Sequence, residues 1–151
     1  MIKKSLNKTK KNILLAKVQI KEKPWGREIW FAHTGKYAGK ILEVKKGHRY
    51  SLQYHEKKQE TQYIFQGKVL FTMGSNMKKL QKKILLKGQK VDVTPGCIHR
   101  LEAIEDALIF EVSTPELDDV IKIEDDYGRN GKGNNETEDK ELHKFLNKIS
   151  Q

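Results

Sequence analysis

From Val18 onward the chain alternates short apolar runs with turn-forming residues, and this punctuation sharply limits what it can fold into. Pro24, Gly26, Gly35, Gly47, Gly67, Gly74, Gly88, Pro95, Gly96 and Pro115 leave little room for a long helix in this region. Between the breakers the pattern predicts strands at 18–22, 28–32, 39–45, 51–55, 61–65, 68–73, 80–86, 90–94, 99–103, 107–112 and 120–124. Many short strands at even spacing point to an all-β barrel or sandwich. A length of 151 residues suits one domain around one core.

The ends differ from the middle. Residues 1–17 read as a basic N-terminal extension (Lys3, Lys4, Lys8, Lys10, Lys11), 18–129 as the barrel, and 130–151 as a linker followed by a short helix. Leu142, Phe145, Leu146 and Ile149 recur at helical spacing, so this C-terminal helix is expected to dock an apolar stripe on the barrel or on a neighbouring subunit. No run approaches the length needed to cross a bilayer, and residues 13–16 are too short for a signal-peptide core. One cysteine, Cys97, rules out an internal disulfide framework and fits a reducing, cytoplasmic setting. The net charge of +10 raises the question of nucleic acid. Almost all of it is lysine dispersed along the chain, with only Arg27, Arg49, Arg100 and Arg129 as arginines, which argues against a nucleic-acid interface. A small anionic substrate needs only a few of these cations.

The chemistry concentrates in GHRYSLQYHEKKQETQYIFQG (residues 47–67) and TPGCIHR (residues 94–100). Side chains two apart on a strand share a face, so Gln53 and His55 are presented together. The polar HEKKQE segment can reverse the chain and bring Glu60 back beside His55, while Pro95-Gly96 sets the sharp approach to His99. Amide oxygen, carboxylate oxygen and two imidazole nitrogens suit one divalent ion: Zn²⁺, Mn²⁺, Fe²⁺, Co²⁺ or Ni²⁺. Cys97 reads as a small buried hydrophobe rather than a ligand. His33, His48 and His143 read as surface residues.

These two segments resemble the paired motifs of the cupins, Gly-x5-His-x-His-x3-4-Glu-x6-Gly and a Pro-x-Gly-x-x-His turn. In this sequence Gln53 stands at the first histidine and the second motif is contracted to Pro95–His99. The Gln-x-His form is similar to mannose-6-phosphate isomerases, in particular the isomerase domain of bifunctional mannose-1-phosphate guanylyltransferases. KPWGREIW (23–30), PGCIHRLEA (95–103) and STPELDDVIKIEDDYGR (113–129) extend the likeness, whereas no nucleotidyltransferase part is present. The resemblance implies a single-domain, double-stranded β-helix (jelly-roll) barrel holding one divalent metal, zinc first, through Gln53, His55, Glu60 and His99. It implies an aldose–ketose isomerase acting on a sugar phosphate, working as a homodimer, with no nucleic-acid or membrane partner. A non-catalytic sugar-binding cupin of glycan assembly and a metal-dependent oxygenase are the alternatives.

Such a reaction needs an acid/base group and cations for the phosphate. Glu111, on a late strand, is a candidate for proton transfer, or else a carboxylate facing outward. Arg49, Lys57 and Arg100 are candidates for the phosphate, with ion pairs to Glu102 or Glu105 as the other use of the two arginines. Trp25 is a candidate sugar wall or a barrel plug, and Arg129 a clamp on Asp125 or Asp126.

Overall fold

The computed structural model describes residues 15–150, so residues 1–14 of the expected basic extension lie outside the described residues. Twelve strands and one helix follow in order: β1 (Gln19–Lys23), β2 (Gly26–His33), β3 (Ala38–Val44), β4 (Leu52–Tyr54), β5 (Glu60–Gln66), β6 (Lys68–Gly74), β7 (Gln81–Leu86), β8 (Lys90–Val93), β9 (Ile98–Ala103), β10 (Ala107–Ser113), β11 (Ile121–Glu124), β12 (Gly131–Lys132) and α1 (Glu136–Ile149). All eleven predicted strands are present, each within two residues of its predicted ends. The additional strand β12 pairs with β11 inside the segment read as linker.

Two six-stranded antiparallel sheets face each other, in the orders β1-β2-β3-β10-β5-β8 and β12-β11-β4-β9-β6-β7. Strands distant in sequence are neighbours: β10 lies between β3 and β5, and β9 between β4 and β6. Interleaving of this kind makes a rolled-up sandwich with one interior. Gly67 joins β5 to β6 with φ +90°, and a Cβ there would collide with the Asp106 carbonyl and Ala107, so only glycine fits.

The interior is graded along its length. Inward positions recur every second residue, and along β3 they run Lys40, Leu42, Val44; along β5, Glu60, Gln62, Ile64; along β9, His99, Leu101, Ala103; along β10, in reverse, Ala107, Ile109, Glu111. All twelve are buried. Register fixes the layers, since Glu111 pairs with Lys40 and Gln62, while Ile109 pairs with Leu42 and Ile64. One end is therefore an apolar plug of Phe71, Ile64, Val69, Leu101 and Ile109, each without solvent exposure. The other end is polar. That end carries the chemistry.

Candidate metal centre

His55 immediately follows β4, where the HEKKQE reversal begins. The reversal is held by Asp119, whose carboxylate accepts from the backbone N–H groups of Glu56 (3.1 Å), Lys57 (2.7 Å) and Lys58 (2.8 Å). Partial burial acts to raise the Asp119 pKa, but the three N–H bonds outweigh it and hold the carboxyl below its usual range. The Asp119 carbonyl also accepts from His55 Nδ1 at 2.5 Å. On the other side, Gly96 turns with φ +83° and donates its N–H to the His55 carbonyl at 2.8 Å, so the turn before His99 is tied to the first histidine. His99 Nδ1 donates to the Cys97 carbonyl at 2.9 Å.

Because carbonyls only accept, both Nδ1 atoms are protonated, and in the neutral imidazole each Nε2 then presents a lone pair. Those lone pairs face one carboxylate: His99 Nε2 lies 3.1 Å from Glu60 Oε1 and His55 Nε2 lies 3.6 Å from Glu60 Oε2. Tetrahedral coordination with bonds of about 2.1 Å separates neighbouring donors by about 3.4 Å, so the spacing fits an ion at the centre. His55, Glu60 and His99 are at most 2% exposed, and His55 Nε2, His99 Nε2 and Glu60 Oε2 make no aligned hydrogen bond. With both imidazoles neutral, their two unpartnered Nε2 atoms and the Glu60 carboxylate repel one another in this dry interior, and a cation between them would relieve it.

The strongest surprise is Lys58. Its Nζ is 2.6 Å from Glu60 Oε2 and 3.2 Å from Glu111 Oε2, and it is 3% exposed. Burial works against the Lys58 charge, but Glu111 and Glu60 together raise its pKa. Burial likewise pushes Glu60 up, and the Lys58 ammonium together with the two imidazoles outweighs it, holding Glu60 well below the carboxylate range. The chain of charges continues from Glu111 to Lys40 (3.7 Å) and from Lys40 to Glu28 (3.2 Å), with the Trp30 indole N–H donating to Glu28 at 2.7 Å. Gln62 bridges Glu60 (3.2 Å) and Glu111 (3.1 Å) and accepts from the Tyr50 hydroxyl at 3.2 Å. Two lysines against three carboxylates leave this end with one negative charge. That balance favours a cation.

The other singled-out residues take varied places. Gln53 pairs directly with His99 across β4 and β9 and lines the same small cavity, of about 50 Å³, as His55; its amide oxygen accepts from Ser51 at 2.7 Å. Glu111 faces inward on that cavity, and so does Trp25, which is 3% exposed and edge-on to Tyr50. Lys57 is exposed. Arg49 forms a two-pronged pair with Asp126 (2.7 and 2.8 Å), and Arg100 donates to the carbonyls of Tyr50 (3.0 Å) and Glu124 (2.9 Å). None of Lys57, Arg49 and Arg100 lines the cavity. Cys97 is half-buried against the apolar core, its carbonyl rather than its thiol serving His99. Arg129 clamps Asp125 at 2.8 Å, and its Nη1 reaches Asp139 of α1 at 3.1 Å. Lys58, Lys40 and Glu28 escaped the sequence reading. For the last two, the alternation Lys40-Leu42-Val44 and Gly26-Glu28-Trp30 carried the signal.

An interleaved two-sheet roll with histidines and a carboxylate gathered at one end is the architecture of a cupin. The family described as mannose-6-phosphate isomerase C-terminal matches residues 10–125, and the chain belongs to it. No curated protein matches the chain. Among solved structures it is similar to KdgF from Halomonas sp. (20% identity, TM-score 0.53, 60% of this chain and 80% of that one). It is also similar to oxalate decarboxylase from Bacillus subtilis (14%, TM-score 0.61, 70% and 30%). A third is the capsular polysaccharide assembling protein CapF from Staphylococcus aureus (16%, TM-score 0.55, 75% and 33%). The chain spans about a third of the length of the latter two. At these identities the likeness establishes the fold.

Proposed function

We propose that the protein is a metal-dependent sugar-phosphate isomerase, interconverting an aldose phosphate and its ketose through proton transfer between neighbouring carbons. The carrying observation is the pair of buried, unpartnered atoms His55 Nε2 and His99 Nε2 converging on the Glu60 carboxylate, beside a cavity that His55 lines together with Gln53, Glu111 and several cations. His55, Glu60 and His99 would hold the ion, with Gln53 as the fourth ligand; zinc is the first choice. Bound there, the ion would polarise the sugar oxygen and stabilise the negative charge of the enediol. The chain's own residues have distinct tasks. Glu111, held by Lys58 and Gln62, is the candidate to take and return the proton. Trp25 offers an aromatic wall.

The test is turnover. Full-length protein loaded with Zn²⁺, Mn²⁺ or Co²⁺ should interconvert mannose 6-phosphate and fructose 6-phosphate; no turnover with any hexose or pentose phosphate overturns the proposal. One observation favours a second reading, a non-catalytic sugar-binding cupin. The cavity of about 50 Å³ is small beside the roughly 300–1,000 Å³ of ligand pockets. That alternative gives thermal stabilisation by sugar phosphates without product. A cytoplasmic setting, supported by the lone thiol, and a homodimer complete the proposal. The outer face of the first sheet, with exposed Phe31, Tyr63, Phe65 and Val112, supports pairing through sheets. No helix among the described residues is long and apolar enough to cross a membrane.

A further inference from the structure

The small cavity has a second charged wall that the ligand set does not use. Lys23 from β1, Lys122 from β11 and Arg129 all line it. Against them stand two carboxylates. Asp125 is clamped by Arg129, and Asp139 of α1 is gripped by Lys23 Nζ at 2.7 Å and Arg129 Nη1 at 3.1 Å. Asp139 is 2% exposed, and it is the buried residue of a helix whose Phe145 and Ile149 are 60% and 64% exposed. The helix is thus latched to the barrel by a carboxylate more than by its apolar stripe. Among the described residues Lys122 has no carboxylate within ion-pair distance, and it donates instead to the Gly133 carbonyl.

The charges do not balance. Three cations and two carboxylates leave one positive charge, and withdrawing Asp139 would leave two, which matches a phosphate monoester near −2. Lys23, Leu117 and Asn134 form a shared wall between this cavity and an outer groove of about 460 Å³, and Asp139 lines the groove side. Moving α1 would remove the carboxylate that holds this wall, joining the two spaces.

We infer that Lys23, Lys122 and Arg129 form the anion subsite for a phosphate-bearing ligand, and that Asp139 occupies it as a built-in substitute, so that ligand binding and release of α1 compete. The assignment to a substrate phosphate rests on the proposed isomerase function; the anion site itself does not. Free phosphate and a sugar phosphate share the recognised group, and both serve as probes.

Binding of inorganic phosphate and of mannose 6-phosphate to full-length protein is measured by calorimetry, with mannose as control. Asp139→Asn keeps the shape and two acceptor lone pairs but removes the competing charge. It should tighten both phosphates roughly tenfold, within the usual range of coupling between competing states, and leave mannose unchanged. Adding Lys122→Ala should reverse that gain. On the unaltered protein, saturating mannose 6-phosphate should speed amide exchange across residues 136–149. Phosphate binding that is absent, equal or weaker in Asp139→Asn of unchanged melting temperature overturns the inference. If that variant does not fold, undiminished exchange protection of α1 in the saturated natural protein overturns it. Tight phosphate binding without isomerase turnover would retain the subsite and sink the isomerase; turnover with no effect of Asp139 would do the reverse.

Discussion

Two buried charge clusters share one barrel interior and differ in how far their bonding is complete and in the sign of their charge. Around Asp125, Arg129, Asp139 and Lys23, each carboxylate has a cation within 3.1 Å. Around His55, Glu60 and His99 the carboxylate has Lys58 at 2.6 Å, but both imidazole Nε2 atoms are left without an aligned partner although their residues are equally dry. Burial of charge is common to both, so burial alone does not mark a binding site. What distinguishes the metal end is unfinished bonding, and its net charge is opposite to that of the latch. A cation completes one cluster. Folding has already completed the other, with a carboxylate borrowed from the helix.

The contrast is open to breakage, starting with the largest effect. Asp125→Ala leaves Arg129 buried with half its partners gone and should lower stability by about 3–5 kcal/mol in urea titrations. A loss under about 1 kcal/mol would show the latch cluster to be solvated rather than structural. Next is acid. Burial acts to raise Glu28, but Lys40, Lys23 and the Trp30 indole outweigh it and bring its pKa to about 2. A lowered pKa stabilises the fold above the unfolded value, and that contribution disappears as pH falls toward the folded value. Between about pH 4.5 and about pH 2 the natural protein should therefore lose on the order of 3 kcal/mol more than Glu28→Gln.

The metal end sharpens the comparison through ligand dependence. Zn²⁺ at a hundredfold excess over its dissociation constant should stabilise the protein by about 2.7 kcal/mol, and His99→Ala should abolish that gain while folding normally without metal. Equal stabilisation of both proteins would place the ion elsewhere. Asp119→Ala frees the reversal that positions His55 and Lys58, and should weaken metal roughly 10–100-fold by equilibrium dialysis. No change would mean the reversal holds itself.

The strands were legible because period-two alternation and turn breakers are local signals. The pair Gln53 and His55, the returning Glu60 and the Pro95-Gly96 approach to His99 were legible for the same reason. What escaped depended on direction within turns and on long-range partners. In HEKKQE no periodicity tells Lys57 from Lys58, and the Asp119 bonds that aim Lys58 inward come from sixty residues away. Arg49 and Arg100 look like phosphate cations in sequence; in space Asp126 and the backbone carbonyls of Tyr50 and Glu124 engage them first. Asp139 carries no signal in the sequence, because nothing nearby in the chain reveals that Lys23 and Arg129 await it. Gly131–Lys132 is too short to announce itself as a strand.

The most direct test of the central claim is X-ray absorption at the metal edge on zinc-loaded protein, with His99→Ala alongside. One ion per chain, bound by two imidazole nitrogens and light oxygen donors and losing an imidazole in the variant, is the predicted result. Protein that takes up no ion, or an ion whose shell is unchanged by His99→Ala, would contradict it.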